Sequence, residues 1–515
     1  YGDYDVDGMT ATAILYHMLR HLEPGARVGT YVPHRLDEGY GLNAEALRHL
    51  KSDGASVVVS VDCGITAVEP ARVAREAGLD LIITDHHTPP ADVAGLPEAF
   101  AIVHPALPGS TYGCRHLCGA GVAFKLAWRL ATMAAGRPVV DAETRRLLLR
   151  LLSLAALGTI ADVVPLTDEN RVIASNGLRL VRETGLPGID ALIEVAGLNT
   201  GVVDAEDVGF KLGPRLNACG RMGHAREAVE LLTDVTPERA AVIARALNEQ
   251  NTSRRDTERR IFEEACERAE GAGMTGVDRR AIVLAAEDWH PGVVGIVCSR
   301  LIGRFHRPTI LMQRDGDECR GSGRSIDGFN LHGGLRACAS HLTRFGGHDM
   351  AAGLALASSS LDAFTEAFIA HANGAVSEEM LTPQLRVDCA VGIEELTPQG
   401  VRAVLRLGPF GRDNPHPNLL LEGMRVTHDA RAIGAQGRHL QVLAQSAGAQ
   451  ALRLVGWGMG DVAPRLRAGA LFDAVIRPKL NEFRGVVNVE AEVRDLRLTE
   501  GAEVRTRGGI RARPA

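Results

Sequence analysis

Two short apolar runs in this chain each stop on an acidic residue. Val57–Val61 is β-branched except at Ser60 and runs directly into Asp62-Cys63-Gly64. Leu79–Thr84 runs directly into Asp85-His86-His87. Runs of this length and composition read as strands buried on both faces, as in a parallel sheet. A third acidic cluster, Gly2-Asp3-Tyr4-Asp5-Val6-Asp7-Gly8, stands just before a segment whose Ile14, Leu15, Met18, Leu19 and Leu22 recur at helical spacing. Open parallel sheets gather their sites outside the carboxyl ends of the strands. The three clusters are therefore expected to converge, although up to 80 residues separate them. A fourth, Gly158-Thr159-Ile160-Ala161-Asp162-Val163, ends an apolar helical stretch and reaches the same edge.

Around this frame the chain alternates helix and strand, which predicts an α/β fold with helices on both faces of a parallel sheet. Phe100–Val103 is expected to be a third strand, and Thr66 with Glu69 forms a capping-box pattern opening the helix between the first two. Residues 119–182 read as mainly helical. Thr236-Pro237-Glu238 is a helix start, with Thr as cap and Pro in the first turn, and the highly charged helix it opens runs to about Glu270. A long helix that is polar on most faces often bridges domains. A second α/β unit opens at Ala281–Ala285, Asn373–Pro383 reads as a linker, and the strand-rich remainder resembles a small OB-like β-barrel. The expected domains are 1–195, 196–275 (helical connector), 276–375, 384–500 and a disordered tail, 501–515. The first motif normally follows a strand, so the first strand of the domain is expected to be missing from the sequence.

Several carboxylates brought together repel, and each raises the pKa of the others unless cations neutralise them. Oxygen-rich sites with one or two imidazoles suit Mn²⁺ or Mg²⁺ better than zinc. Two such ions about 3.5–4 Å apart activate water and steady both oxygens of an in-line displacement at phosphorus. One aspartate at a strand end is more often only a helix cap. Four clusters in this order are hard to explain as caps, and metal-assisted phosphoester hydrolysis is the chemistry they suit. Cys114 and Cys118 lack partner ligands at the spacing of a zinc site.

Asp5-Val6-Asp7-Gly8, Asp62, Asp85-His86-His87 and Asp162 resemble the four motifs of the DHH phosphoesterase superfamily. The longer strings GDYDVDGMTATAIL, PHRLDEGYGL, LGTIADVVPL, GPRLNACGRMG, HPGVVGIVCSRL, GSGRS, GGHDMAAGLAL and LGPFGRDNPHP look like its RecJ family of single-strand-specific exonucleases. The resemblance implies a DHH domain, a DHH-associated domain and an OB-like barrel. It implies that Asp5, Asp7, Asp62, His86 and Asp162 are metal ligands, with Asp62 bridging, and that His87 faces the scissile phosphate. Catalysis would rest on Asp62, His87, Asp5 and Asp7. Several superfamily members carry a ligating His where this chain has Tyr1, which makes Asp3 a candidate substitute. Arg35, Arg215, Asn217, Ser322, Arg324 and His348 are the implied substrate-binding residues, and Arg221 is implied with Asn217 either in substrate binding or in locking a domain junction.

The reaction so implied is 5′→3′ hydrolysis of single-stranded DNA to mononucleotides, in repair and recombination. The two α/β domains would form a cleft that admits one strand. A single-strand-binding protein and a recombination helicase are the partners implied by the family, with the enzyme itself a monomer. The net charge of −6 and 4% aromatic content leave the strand to local Arg clusters and a small stacking surface, with Phe410, Trp457 and Phe483 as its aromatic supply. Nine scattered cysteines suit reduced thiols in the cytoplasm, and no apolar run is long enough to span a membrane. Two other readings use the same motifs. One is a DHH phosphodiesterase for short oligonucleotides or cyclic dinucleotides, and the other is a DNA-binding replication scaffold without catalysis.

Overall fold

The computed structural model describes residues 1–34, 38–198, 201–222, 225–446, 450–483 and 486–499. They form two compact units, one of Tyr1–Asp256 with Pro409–Pro415, the other of Thr257–Gly408 with the chain from His416 onward. The first unit begins with α1 (Val6–Leu22) and α2 (Ala44–Ser52), followed by β1 (Val57–Val61), α3 (Val68–Glu76), β2 (Asp80–Thr84) and β3 (Ala101–Val103). The three strands pair in parallel in the order β1-β2-β3, with Val61 opposite Thr84. Gly2 makes a parallel bridge to Val61, so the first acidic cluster leaves the sheet level with Asp62. The capping box expected at Thr66 does not form. Residues 64–67 close a turn instead, with Ala67 N–H donating to the Gly64 carbonyl, and α3 starts at Val68 without a side-chain cap.

Next come α4 (Gly119–Ala134), α5 (Ala142–Ala161), α6 (Asp168–Leu180) and α7 (Pro187–Val195). A short α8 (Ala205–Asp207) continues through a π-turn into α9 (Gly213–Met222), and α10 (Arg226–Leu232) precedes the long α11 (Pro237–Gly271). Residues 6–15 of α1 are all buried, which is why its sequence is apolar or small on every face. α4 and α5 pack on it, and Gly8 gives room to the Asp3 main chain, which a Cβ there would approach to 2.6 Å. The buried hydroxyls of Thr10 and Thr12 donate to the carbonyls of Val6 and Gly8, both at 2.8 Å, so they add no unsatisfied polar group. Each fully buried Leu, Ile or Met here contributes about 1.5–3 kcal/mol.

The second unit contains β4 (Ile282–Ala286), α12 (Pro291–Phe305), β5 (Thr309–Asp315), β6 (Glu318–Arg324), α13 (Leu331–Ala337), β7 (Arg344–Gly347), β8 (Ala351–Ala357) and α14 (Leu361–Ala375). Its sheet order is β4-β5-β6-β8-β7. Only β4–β5 is a parallel pair. The turn at Gly316, with φ of 54°, reverses the chain into an antiparallel hairpin that puts Ser322 opposite Leu311. After it come β9 (Cys389–Ala390), α15 (Pro398–Leu405), β10 (Leu419–Val426), β11 (Arg431–Ile433), β12 (His439–Gln445), β13 (Leu452–Gly456), β14 (Leu471–Phe483) and β15 (Val486–Leu498). The order β11-β12-β13-β15-β14-β10-β9 is closed by an extra β12–β10 pairing, which makes the sheet a barrel. Trp457 stands exposed on it, edge-on to His439 at 4.8 Å. Eight of the nine cysteines are buried and Cys389 is exposed. No helix among the described residues is long and apolar enough to cross a membrane.

Candidate metal centre

Each acidic cluster is held by a different local device. Asp5 caps α1, its Oδ1 accepting Gly8 N–H at 3.1 Å. Asp7, one turn into the helix, is buried and accepts Gly119 N–H at 2.6 Å and Ala120 N–H at 2.8 Å. Those two donors are the first free N–H groups of α4, whose helix dipole also favours a negative charge there. Asp62 leaves β1 with a left-handed φ of 60°, which turns its carboxylate back over the sheet edge. Asp162 is the C-terminal cap of α5.

These devices bring the donors together. Three groups of ligand atoms each lie within 4.8 Å of one another: Asp3, Asp5 and Asp62; Asp7, His86 and Asp162; and Asp62, His86 and His87. His86 Nε2 is 3.0 Å from Asp62 Oδ1, 3.6 Å from Asp162 Oδ2 and 3.7 Å from Asp7 Oδ2. Yet His86 Nε2 and Asp62 Oδ1 are buried without a hydrogen bond. Two buried acceptors converging on one space need a cation there, so the donor set fits divalent metal ions. The oxygen-rich composition suits Mn²⁺ or Mg²⁺. Tyr1, by contrast, donates its hydroxyl to the Gly41 carbonyl and packs on Tyr31, and it is Asp3 that joins the carboxylates.

The electrostatics say the same. Burial first, then Asp7, Asp5, Asp3 and Asp162, push the Asp62 carboxyl well above its ordinary range. Burial and the neighbouring Asp7 and Asp5 carry Asp162 up to about 9. Burial and Asp7 also raise Asp5. Without metals, the folded state therefore keeps protons that the unfolded chain has released above pH 3.8. Stability of chelated protein is expected to fall as pH rises between that value and about 9, by up to ~1.4 kcal/mol per pH unit for each such carboxyl. Mn²⁺ should remove this slope. Calorimetry at pH 6 and pH 8.5 checks it, and a chelated protein equally stable at both contradicts it.

Sequence reading left the role of Asp85 unassigned. Burial opposes its charge, but the His87 ring, bonded to Oδ1 at 2.8 Å, and the backbone N–H groups of Ile65 and His87 bring its pKa down to about 2. Burial likewise opposes a charge on His87, and Asp85, Asp162 and Asp5 overcome it, lifting His87 to about 9. These carboxylates, Asp85 first among them, thus favour the protonated form of His87. Tyr40, also unassigned from sequence, places its hydroxyl 3.1 Å from His87 Nε2.

The residues expected to hold substrate are placed unevenly. Asn217 Oδ1 accepts Val6 N–H at 3.1 Å, fixing the start of α1 between Asp5 and Asp7. Arg215 donates to Asn248 Oδ1 and to the carbonyls of Lys211 and Val195. In the second unit, Ser322 lines a cavity of about 360 Å³ with Pro291, Arg320, Arg344 and Gly346. Arg324 lies beside Ser322 over Gly295 of α12, where a Cβ would come within 3.2 Å of its guanidinium. His348 is exposed in the β7–β8 turn. Arg35 and the side chains of Arg221 and Phe483 lie outside the described residues.

A parallel sheet with acidic strand ends, closed over by helix N-termini, defines a DHH-type phosphoesterase. The family model "DHH family, N-terminal domain" matches residues 1–159, "DHHA1 domain" 278–374 and "RecJ OB domain" 387–495. The single-stranded-DNA-specific exonuclease RecJ of Escherichia coli is 35% identical over 458 residues, covering 87% of this chain and 78% of its own. That of Bacillus subtilis is 40% identical over 502 residues, covering 97% of this chain; the chain spans 61% of that relative's length. The chain belongs to the RecJ family. The crystal structure of Thermus thermophilus RecJ in complex with Mn²⁺ superposes with a TM-score of 0.80 at 31% identity, covering 98% of this chain and 69% of that one.

Proposed function

We propose that this chain is a 5′→3′ exonuclease that hydrolyses single-stranded DNA to mononucleotides with two Mn²⁺ or Mg²⁺ ions. The observation that carries the reading is the pair of donor groups, Asp3/Asp5/Asp62 and Asp7/His86/Asp162, joined through Asp62 and His86 at 3.0 Å. When bound, such ions supply Lewis acidity and an activated water for in-line attack on phosphorus. Asp62, reaching both groups, would be shared between the two ions. The α4 N–H groups hold Asp7 in place before any ion arrives. Asp85 Oδ1 accepts a hydrogen bond from the His87 Nδ1–H, which leaves Nε2–H to donate to a phosphate oxygen and offset charge in the transition state. Ser322, Arg324 and Arg344 offer hydroxyl and guanidinium donors to the DNA backbone, and the barrel with exposed Trp457 offers a single-strand surface.

The single-strand specificity of the Escherichia coli and Bacillus subtilis relatives supports the choice of single-stranded DNA. Buried free thiols suit a cytoplasmic enzyme, and repair and recombination are the processes in which such a nuclease would act. Work as a monomer, with a single-strand-binding protein and a recombination helicase as partners, is part of the same proposal. The test is digestion of 5′- and 3′-labelled single strands with Mn²⁺. Labelled mononucleotide should appear at once from the 5′ label and only late from the 3′ label, and EDTA should stop both. Activity that survives EDTA would sink the metal reading. Cleavage of dinucleotides but not of long strands would favour the short-oligonucleotide alternative, and binding without cleavage the scaffold.

A further inference from the structure

All three parallel strands of the first unit run into a polar side chain. After β1 comes Asp62, after β2 Asp85, and after β3 His104. Thr84 pairs with Val103, and Asp85 N–H donates to the Val103 carbonyl at 3.2 Å, so His104 leaves the sheet level with the Asp85-His86-His87 turn. Among the described residues it joins none of the three groups of converging ligand atoms. It is nevertheless only 8% exposed. Both ring nitrogens are engaged. Ala106 N–H donates to Nδ1 at 3.0 Å, so Nδ1 carries no proton. Nε2 therefore holds the single ring proton and donates to the His87 carbonyl at 2.7 Å.

A buried histidine with both nitrogens satisfied is often only a packing residue. What sets this one apart is the residue it bonds. Asp85 Oδ1 holds one side of His87, accepting its N–H at 3.1 Å and its ring Nδ1–H at 2.8 Å. The His87 side chain is 40% exposed, so packing alone does not fix the ring. His104 holds the opposite end of the same residue. With N–H and carbonyl both bonded, φ and ψ of His87 are set, and with them the direction in which the ring leaves the main chain. His86 has its own support, since its N–H donates to Asp85 Oδ1 at 2.7 Å.

We propose that His104 is a positioning residue, which aims the His87 ring at the scissile phosphate by holding the His87 carbonyl. The inference rests on the nuclease reading and on His87 as donor to a phosphate oxygen. His104 itself touches neither the strand nor an ion, so its loss should slow the chemical step and leave the affinity for metal as it was.

The experiment measures kcat and KM on a 5′-phosphorylated single strand, Mn²⁺ affinity by calorimetry, and melting temperature, for the parent, His104→Gln, His104→Asn and His104→Ala. A Gln amide reaches as far as histidine Nε2 and can keep the bond to the His87 carbonyl. An Asn amide reaches only as far as Nδ1 and can keep the bond from Ala106. Each loses one buried hydrogen bond, so the two should melt alike, and their comparison holds even if the Ala variant folds poorly. The expected result is a kcat within a few-fold of the parent for Gln and about 10–100-fold lower for Asn and Ala, with KM and Mn²⁺ affinity unchanged. Equal kcat in the Gln and Asn variants overturns the proposal, because the bond to His87 would then be immaterial. So does a loss confined to KM, or a loss of Mn²⁺ affinity, which would make His104 a support for His86. A parent that leaves the strand intact would instead remove the nuclease reading, and this proposal with it.

Discussion

Replacing Asp62 by alanine is expected to lower the cleavage rate by ~10³-fold or more while leaving single-stranded DNA binding within a few-fold of the parent. Asp62 is the one carboxylate that belongs both to the Asp3/Asp5 group and to the His86/His87 group. Its loss therefore weakens both ion positions, and Mn²⁺ titration should show fewer ions bound. The metal-free variant should melt no lower than the metal-free parent, because the substitution removes a carboxyl whose ionisation burial and four neighbouring carboxylates oppose. Turnover at the parental rate would refute the ligand assignment.

Gly119→Ala should be nearly as damaging, though it adds only a methyl group. A Cβ at Gly119 would stand 2.6 Å from Asp62 Cβ and 2.7 Å from Asp62 Oδ1. Asp62 cannot swing away, since its short side chain is set by a left-handed backbone. Gly119 in turn cannot retreat without giving up its N–H bond to Asp7. The clash is expected to shift both ligands and cost 10–100-fold in activity and in Mn²⁺ affinity. Circular dichroism should remain that of the folded protein. Parental activity in this variant would mean that α4 has room to slide.

The strand ends were legible because a buried parallel strand writes itself as an apolar run, and the residue after it is placed by topology. That logic locates Asp62 and Asp85-His86-His87 without knowledge of neighbours. It does not reveal that α4, more than 110 residues along, supplies the donors for Asp7. Nor does it show that Asn217 Oδ1 caps Val6 from 211 residues away. Such contacts depend on how helices cross, and a period of 3.6 says only which face is apolar. The same blindness explains the Thr66–Glu69 pattern. Its spacing fits a capping box, but the turn closing on Gly64 absorbs the residues that would have formed it. Asp85 illustrates a different limit: an aspartate that binds a metal and one that orients a histidine look alike in a string. The segment Pro409–Pro415 is the extreme case, because nothing in LGPFGRDNPHP indicates that its Arg412 carbonyl accepts the Leu166 N–H.

The cysteine distribution has a practical consequence. Burial pushes the thiols of Cys63 and Cys118 well up, and those of Cys219 and Cys298 to about 12. Reaction with a maleimide requires an accessible thiolate. Eight of the nine side chains are shielded, while Cys389 is exposed on the short β9 strand of the barrel. The native sequence thus carries its own attachment point for a fluorophore, away from the carboxylate centre in the chain. A dye placed there could follow a strand being drawn over the barrel without any engineered cysteine.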